Sequence, residues 1–245
     1  TFLAGLAANT GYTVKAYAIN NVGTTHSSAS TFTTDAVTAG TLDLDYNPNV
    51  NGSVFASAPL PDGSMLIGGS FTTVGGVART NLARLLPDGS LDSSFNPSTD
   101  SNVNAIAVQA DGKIVIGGQF TMVNGIAQSR CARLLADGTL DNTFTAAADG
   151  IVWGVKTLPD GSILLVGAFT TVNGTPRGRI TRLSAIDGGV DSGFASGIGA
   201  DSSIFSAAVQ MNGRIIIGGS FTNFDGTAAN RIARLTSTGA LDATF

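Results

Sequence analysis

One register, kept through four copies, constrains this chain more than any single residue. The clearest copy, from Val103, reads VNAIAVQADGKIVIGGQFTMVNGIAQSRCARLLADGTLDNTF. Its Asp-Gly, Gly-Gly, Phe-Thr, Ala-Arg-Leu and Leu-Asp-x-x-Phe elements return before and after it. The turn glycine falls at Gly63, Gly112, Gly161 and Gly213, and the phenylalanine after the Gly-Gly position at Phe71, Phe120, Phe169 and Phe221, in steps of 49, 49 and 52 residues. A period held this closely describes one supersecondary unit laid beside its own copies, each burying a face that its neighbour supplies.

Each unit holds four segments of strand character. In the second copy these are Val103 to Val108, Lys113 to Phe120, Ser129 to Leu135 and the run TLDNTF ending at Phe144. Asp111-Gly112 between the first two has the composition of a two-residue hairpin turn; Thr121 to Gly125 reads as a loop and Asp137-Gly138 as a second turn. Four strands of roughly five or six residues, joined by loops of about two to five and one longer connection, account for the period. Helices do not fit, because glycine and β-branched residues interrupt every window and no 3, 4, 7 apolar spacing persists. Leucine-rich and β-helix units are shorter. The expected fold is therefore all-β, a β-propeller of four visible four-stranded blades.

Composition narrows the function classes. Charged residues are 12% of the chain, about half the usual share of roughly 25%, and solubility rests on Ser, Thr, Asn and 32 glycines. A net charge of −4 with three lysines argues against nucleic acid, whose phosphates call for clustered cations. No apolar run approaches the roughly 18 residues of a membrane span, and no basic leader opens the sequence. The opening residues read as the middle of a domain, so the chain is expected to be a piece of a longer protein.

Charge kept in step points to structure first. Arg84, Arg133, Arg182 and Arg234 each sit before a leucine, and Asp92, Asp141, Asp191 and Asp242 follow eight or nine residues later across a turn. Such pairs are expected to clamp neighbouring strands. Arg130, Arg179 and Arg231 recur where the first copy has Asn81. Position two of the first strand is aromatic at Phe55, Trp153 and Phe205 and is Asn104 in the second copy, a pattern that suits packing or, as the alternative, a ligand at the propeller mouth. Trp153 and Phe205 with Asp149 and Asp201 are the candidate carbohydrate or peptide contacts. Cys131 fills a slot taken elsewhere by Leu82, Ile180 and Ile232, and so reads as a buried small hydrophobe rather than a reactive thiol.

No catalytic residues are assigned, because paired carboxylates with a hydrolytic arrangement and a nucleophile with its base are not found. The single histidine, His26, lies outside the repeats with no second ligand at metal spacing, so no metal site is assigned. The chain is expected not to be an enzyme and to need no cofactor. Calcium stays open as an alternative reading of the Asp-Gly turns, though the spaced acidic series of a calcium loop is missing and hairpins explain the same residues.

The motifs V-x-A-x-A-V-Q-x-D-G-K-I-x-x-G-G-x-F-T-x-x-N-G and R-x-A-R-L-x-x-D-G-x-L-D-x-x-F, over residues 42 to 245, resemble the delta-60 repeat, a propeller-type repeat of large bacterial secreted and surface proteins. Departures are Val166 in place of a glycine, Asn212-Gly213 in place of Asp-Gly, and the extra residue of Asp187-Gly188-Gly189. Residues 1 to 34 lack the repeat. Leu6, Thr10 and Tyr12, with Ala8 at a proline position and alternating Val14, Ala16 and Ala18, resemble the last strands of a fibronectin type III domain, with Tyr12 as its tyrosine corner. Residues 35 to 41 read as a linker. These resemblances imply an extracellular or cell-surface module for adhesion or matrix assembly, whose partners are surface or matrix proteins, copies of itself, or glycans in a lectin-like alternative. The spare strand Leu42 to Tyr46, ahead of any complete copy, predicts a ring of more than four blades that continues past Phe245.

Overall fold

Each copy of the repeat folds into one blade. The computed structural model describes residues 11–14, 17–20, 23–26, 29–33, 46–194 and 197–245, and the chain divides into two units, Thr1–Tyr46 and Asn47–Phe245. In the first unit Gly11–Val14 pairs antiparallel with Ser30–Thr33, and Tyr17–Asn20 with Gly23–His26; Tyr12 stands opposite Phe32. Leu6, Ala8, Thr10, Ala16, the linker 35–41 and Leu42 of the spare strand lie outside the described residues.

The second unit is all β. The inner strands are Ser53–Pro59, Val103–Val108, Val152–Thr157 and Ile204–Val209. Each pairs antiparallel with a middle strand, Met65–Ser70, Ile114–Gly118, Ile163–Gly167 or Ile215–Gly219. Each middle strand pairs in turn with a third, Leu82–Leu85, Cys131–Leu134, Ile180–Leu183 or Ile232–Leu235. The fourth strand of each blade is reduced to a single bridge, Leu85 to Leu91, Leu134 to Leu140, Leu183 to Val190 and Leu235 to Leu241.

Three local expectations need correction, each for a stereochemical reason. The Asp-Gly turn is a three-residue loop, not a two-residue one. Gln109 donates its N–H to the Lys113 carbonyl at 2.8 Å, and Gly112 donates back to Gln109 at 2.9 Å with a φ of 81°. This is a type I turn closed by a left-handed glycine, and Asp111 Oδ1 accepts the Lys113 N–H across it. The supposed loop from Thr121 is itself a small hairpin, Met122–Val123 with Ile126–Ala127. Its centre, Asn124-Gly125, takes φ of 51° and 78°, the pair of positive values that a type I′ turn demands. The Leu-Asp-x-x-Phe run leaves the sheet after one bridge because Asp141 Oδ1 accepts the Thr143 N–H at 3.0 Å and bends the chain inward.

Side chains of a middle strand alternate between two neighbours. Ile114 and Ile116 join a cluster with Leu66, Leu82 and Phe95 of the preceding blade, while Val115 joins one with Val152, Ile163 and Phe169 of the following blade. The third cluster repeats the rule, bringing Leu164, Val166 and Phe194 against Ile204, Ile215 and Phe221. Both faces are buried, which is why these strands read as unbroken apolar runs. Cys131 is fully covered in the second of these clusters, and burial pushes its thiol up to about 12.

Close approach between blades is set by volume. A Cβ on Gly117 would lie 2.5 Å from Val152 Cγ1 and 2.8 Å from Val155 Cγ2 of the next blade. The third blade carries Val166 at this place, and the facing residue shrinks to Ala207, with Gly154 opposite Val166 in its own sheet. Gly117→Val is therefore expected to lower stability by about 1–3 kcal/mol through overpacking. Adding Val155→Ala, which transplants the pairing of the third and fourth blades, should recover most of that loss. Urea unfolding measures both, and a Gly117→Val protein as stable as its parent would discount steric control of the interface.

Candidate interaction site at the inner strands

The inner strands share one irregularity. In each, register slips by one residue, at Val54/Ala56, Val103/Ala105, Val152/Gly154 and Ile204/Ser206. The residue left unpaired is Phe55, Asn104, Trp153 or Phe205. A bulge re-aims a side chain that an ordinary strand would direct elsewhere, and here it gathers position two of all four blades around one recess of about 260 Å³. Trp153 and Phe205 meet edge to face, with ring centroids 6.0 Å apart and an interplanar angle of 80°. Asn104 donates its amide to the Val152 carbonyl at 3.2 Å. The shielded Trp153 Nε1–H meets no acceptor within the described protein.

The two acids paired with these aromatics in the sequence reading do other work. Asp149 Oδ1 accepts the N–H groups of Thr170 and Thr171 at 2.7 and 2.9 Å, and Asp201 Oδ1 accepts that of Thr222 at 2.8 Å, with the threonine hydroxyls on the second oxygens. Neither lines the aromatic recess. Asn51 and Asp100 bind Thr72 and Thr121 in the same way, so the set ties the entry to each blade to its small hairpin. Its step along the chain is that of the repeat, which is the signal that marks it as scaffold.

The four Arg–Asp pairs lie face to face, with Nε to Oδ2 distances of 2.7 Å at Arg84–Asp92, 2.8 Å at Arg133–Asp141, 2.5 Å at Arg182–Asp191 and 2.7 Å at Arg234–Asp242. Each guanidinium also covers a phenylalanine ring, Phe95, Phe144, Phe194 or Phe245, at 4.5–5.5 Å. In the first two blades a further donor crosses to the next blade. Arg84 reaches the Ala136 carbonyl at 2.8 Å; Arg133 reaches Ala185 and, at 2.8 Å, Ile186. Arg84 and Arg133 thus each join their own outer turn, a core ring and the neighbouring blade. Burial alone would raise the Asp141 carboxyl, but the Thr143 hydroxyl and N–H together with Arg133 hold it at about 2. The Ser94 hydroxyl, ahead of its N–H and Arg84, holds Asp92 at about 2 despite burial.

Arg130, Arg179 and Arg231, with Asn81, take positive φ of 64° to 71°. Their N–H groups return to the carbonyls of Phe120, Phe169, Phe221 and Phe71, so the left-handed turn is held from both sides of the small hairpin. The arginine heads fold back on Gln119, Phe169 and Ser220 carbonyls.

The model of a domain of unknown function, the DUF5122 β-propeller, matches residues 60–95, 109–144, 158–194 and 210–245, more than half of the chain. The chain belongs to the DUF5122 β-propeller family. Each DUF5122 match starts at the turn before a middle strand and ends at the Phe under the arginine, so the inner strand with its bulge falls outside the matches. No curated protein matches the chain. Similar solved structures include a protein of unknown function from Bacteroides caccae, 14% identical with a TM-score of 0.48, covering 77% of this chain and 65% of that one. The WD40 β-propeller domain of Doa1 is 19% identical with a TM-score of 0.49, covering 84% and 56%. YCF48 bound to D1 peptide is 12% identical with a TM-score of 0.43, covering 94% and 64%. The DUF5122 chain spans 56 to 65% of the length of these structures. Among the described residues no group of three or more His, Cys, Asp or Glu could hold a metal ion.

Proposed function

We propose that this propeller is a non-catalytic structural and adhesion module of a large secreted or cell-surface bacterial protein, and that it holds protein or matrix partners at the recess of its inner strands. The observation that carries this reading is the collar of Phe55, Trp153 and Phe205, which three bulges direct to one place on a rigid frame. Aromatic anchors on a pre-ordered scaffold are the side chains that dominate binding energy at protein interfaces. The carboxylates described above are taken up by hairpins and arginines, which favours binding over chemistry. Low charge, and a front segment read as the closing strands of a fibronectin type III-like sandwich, favour an extracellular setting for delta-60-type repeats.

A lectin-like reading has its own support, since the Trp153 indole N–H and the Asn104 amide stand beside aromatic rings, the mixture that a sugar's hydroxyls and apolar face require. Immobilised matrix proteins and a glycan array, probed in parallel, separate the two. Trp153→Ala is expected to weaken whichever interaction is found by at least about tenfold, as loss of a hot-spot aromatic does. Binding indifferent to both Trp153→Ala and Phe55→Ala would move the site away from the recess. Protease treatment of intact cells that make the protein tests its exposure: full protection would refute a surface location.

A further inference from the structure

Where copies repeat this regularly, the positions that break the period are the informative ones, and the inner edge of the second blade breaks it three times. Asn102 stands where the other blades have Ser53, Ile151 and Ser203, Asn104 where they have Phe55, Trp153 and Phe205, and Gln119 where they have Ser70, Ala168 and Ser220. The frame beneath is the common one: Gln119 donates its N–H to the Asn102 carbonyl at 2.9 Å, as Ala168 does to Ile151 at 2.8 Å and Ser220 to Ser203 at 2.9 Å. The backbone therefore does not require these three carboxamides. They line a pocket of about 370 Å³ together with Phe55 of the first blade and Trp153 of the third, so both walls of the site lie within the chain. Asn104 spends an amide N–H on the Val152 carbonyl, and among the described residues the Asn102 and Gln119 carboxamides have no hydrogen-bond partner. None of the five lining residues is charged; Lys156 lines the neighbouring recess but not this pocket.

We infer that this pocket binds a neutral glycan through one of its pyranose rings. The inference rests on the proposed role of the inner strands as an interaction site and names the ligand class at their second-blade edge. A carboxamide offers donors and an acceptor side by side, and a hydroxyl is itself both, so three carboxamides suit adjacent ring hydroxyls without any net charge. The slightly positive C–H face of the ring suits the negative faces of Phe55 and Trp153. A sialylated, sulfated or phosphorylated sugar would bring an anion into a pocket that holds no cation, and its desolvation would go uncompensated. The volume lies at the lower end of small-molecule sites, roughly 300–1,000 Å³, which fits a ring better than a folded partner.

An array carrying neutral hexose and N-acetylhexosamine glycans beside sialylated and sulfated ones, probed with the whole chain, tests this. The parent is expected to bind neutral glycans in preference to the anionic ones. Asn102→Ser combined with Gln119→Ser gives the second blade the residues that the first and fourth already use at these places. It should keep the parent's melting midpoint and weaken glycan binding at least about tenfold, as loss of two hydrogen bonds does. If that midpoint moves, Gln119→Ser alone carries the test, with a loss of about two- to tenfold. Lys156→Gln should leave binding unchanged. No neutral glycan bound, a preference for anionic glycans, or a serine variant that binds like the parent would each overturn the assignment. Immobilised matrix proteins captured through Trp153 with no glycan bound would overturn it while leaving the interaction site standing; binding of neither would overturn both.

Discussion

Asp141→Ala is expected to lose about 3–5 kcal/mol of stability, the cost of leaving a buried cation without its partner. The Arg133 side chain is 1% exposed and that of Asp141 is 6% exposed, so water cannot replace the lost carboxylate. Arg133 would keep carbonyl contacts at Ala185 and Ile186 and its ring contact with Phe144, but none of these neutralises it. The melting midpoint should fall by on the order of 10 °C for a protein of this size. Asp242→Ala should lose less, because the Arg234 side chain is 16% exposed and water can reach it. An Asp141→Ala midpoint equal to the parent's would remove the pair from any account of stability.

The same carboxylate predicts an acid dependence. It titrates at about 2 when folded and near 3.9 when unfolded, so it favours the folded state most where it is ionised in both. As pH falls below about 4 the unfolded chain takes up the proton first, and the contribution declines until it is gone below about 2. The gap in midpoint between parent and Asp141→Ala should therefore narrow over that window and stay constant above it.

Phe144→Ala and Phe245→Ala should differ widely although both rings lie under an arginine. Phe144 is 1% exposed between the second and third blades, and its removal should cost about 3–5 kcal/mol in transfer and cavity terms. Phe245 has its arginine at 4.9 Å but is 59% exposed, and its loss should stay within about 1 kcal/mol. Equal losses in denaturant unfolding would assign the stabilisation to the arginine stack rather than to burial between blades.

The frame of the fold was legible because its signals are additive over copies: turn glycines, paired strands and the apolar middle segments all repeat in step. The step from each arginine to its aspartate was legible for the same reason, since it spans one outer turn. What escaped was local geometry. Asn124-Gly125 carried the type I′ signal, but strands of two residues fall below what hydrophobic alternation can reveal. Asp141 looked like a strand residue because a side-chain turn that ends a strand uses the same letters as one that continues it. Asp149 and Asp201 were grouped with Trp153 and Phe205 by proximity in sequence, whereas the bulge sends the aromatics to the recess and leaves the acids with their threonines. The bulge itself, the feature that makes the recess, leaves no mark in a single sequence beyond an aromatic that breaks the alternation.

The exchange of volume between Gly117 and Val166 has a bearing on how such arrays can be edited. Val166 tolerates a following blade that offers Ala207, while one beginning like the second or third would present Ile106 or Val155 to the same spot. Shuffling, duplicating or deleting units would thus be accepted at some junctions and rejected at others, and the order of blades along the gene is written in methyl groups.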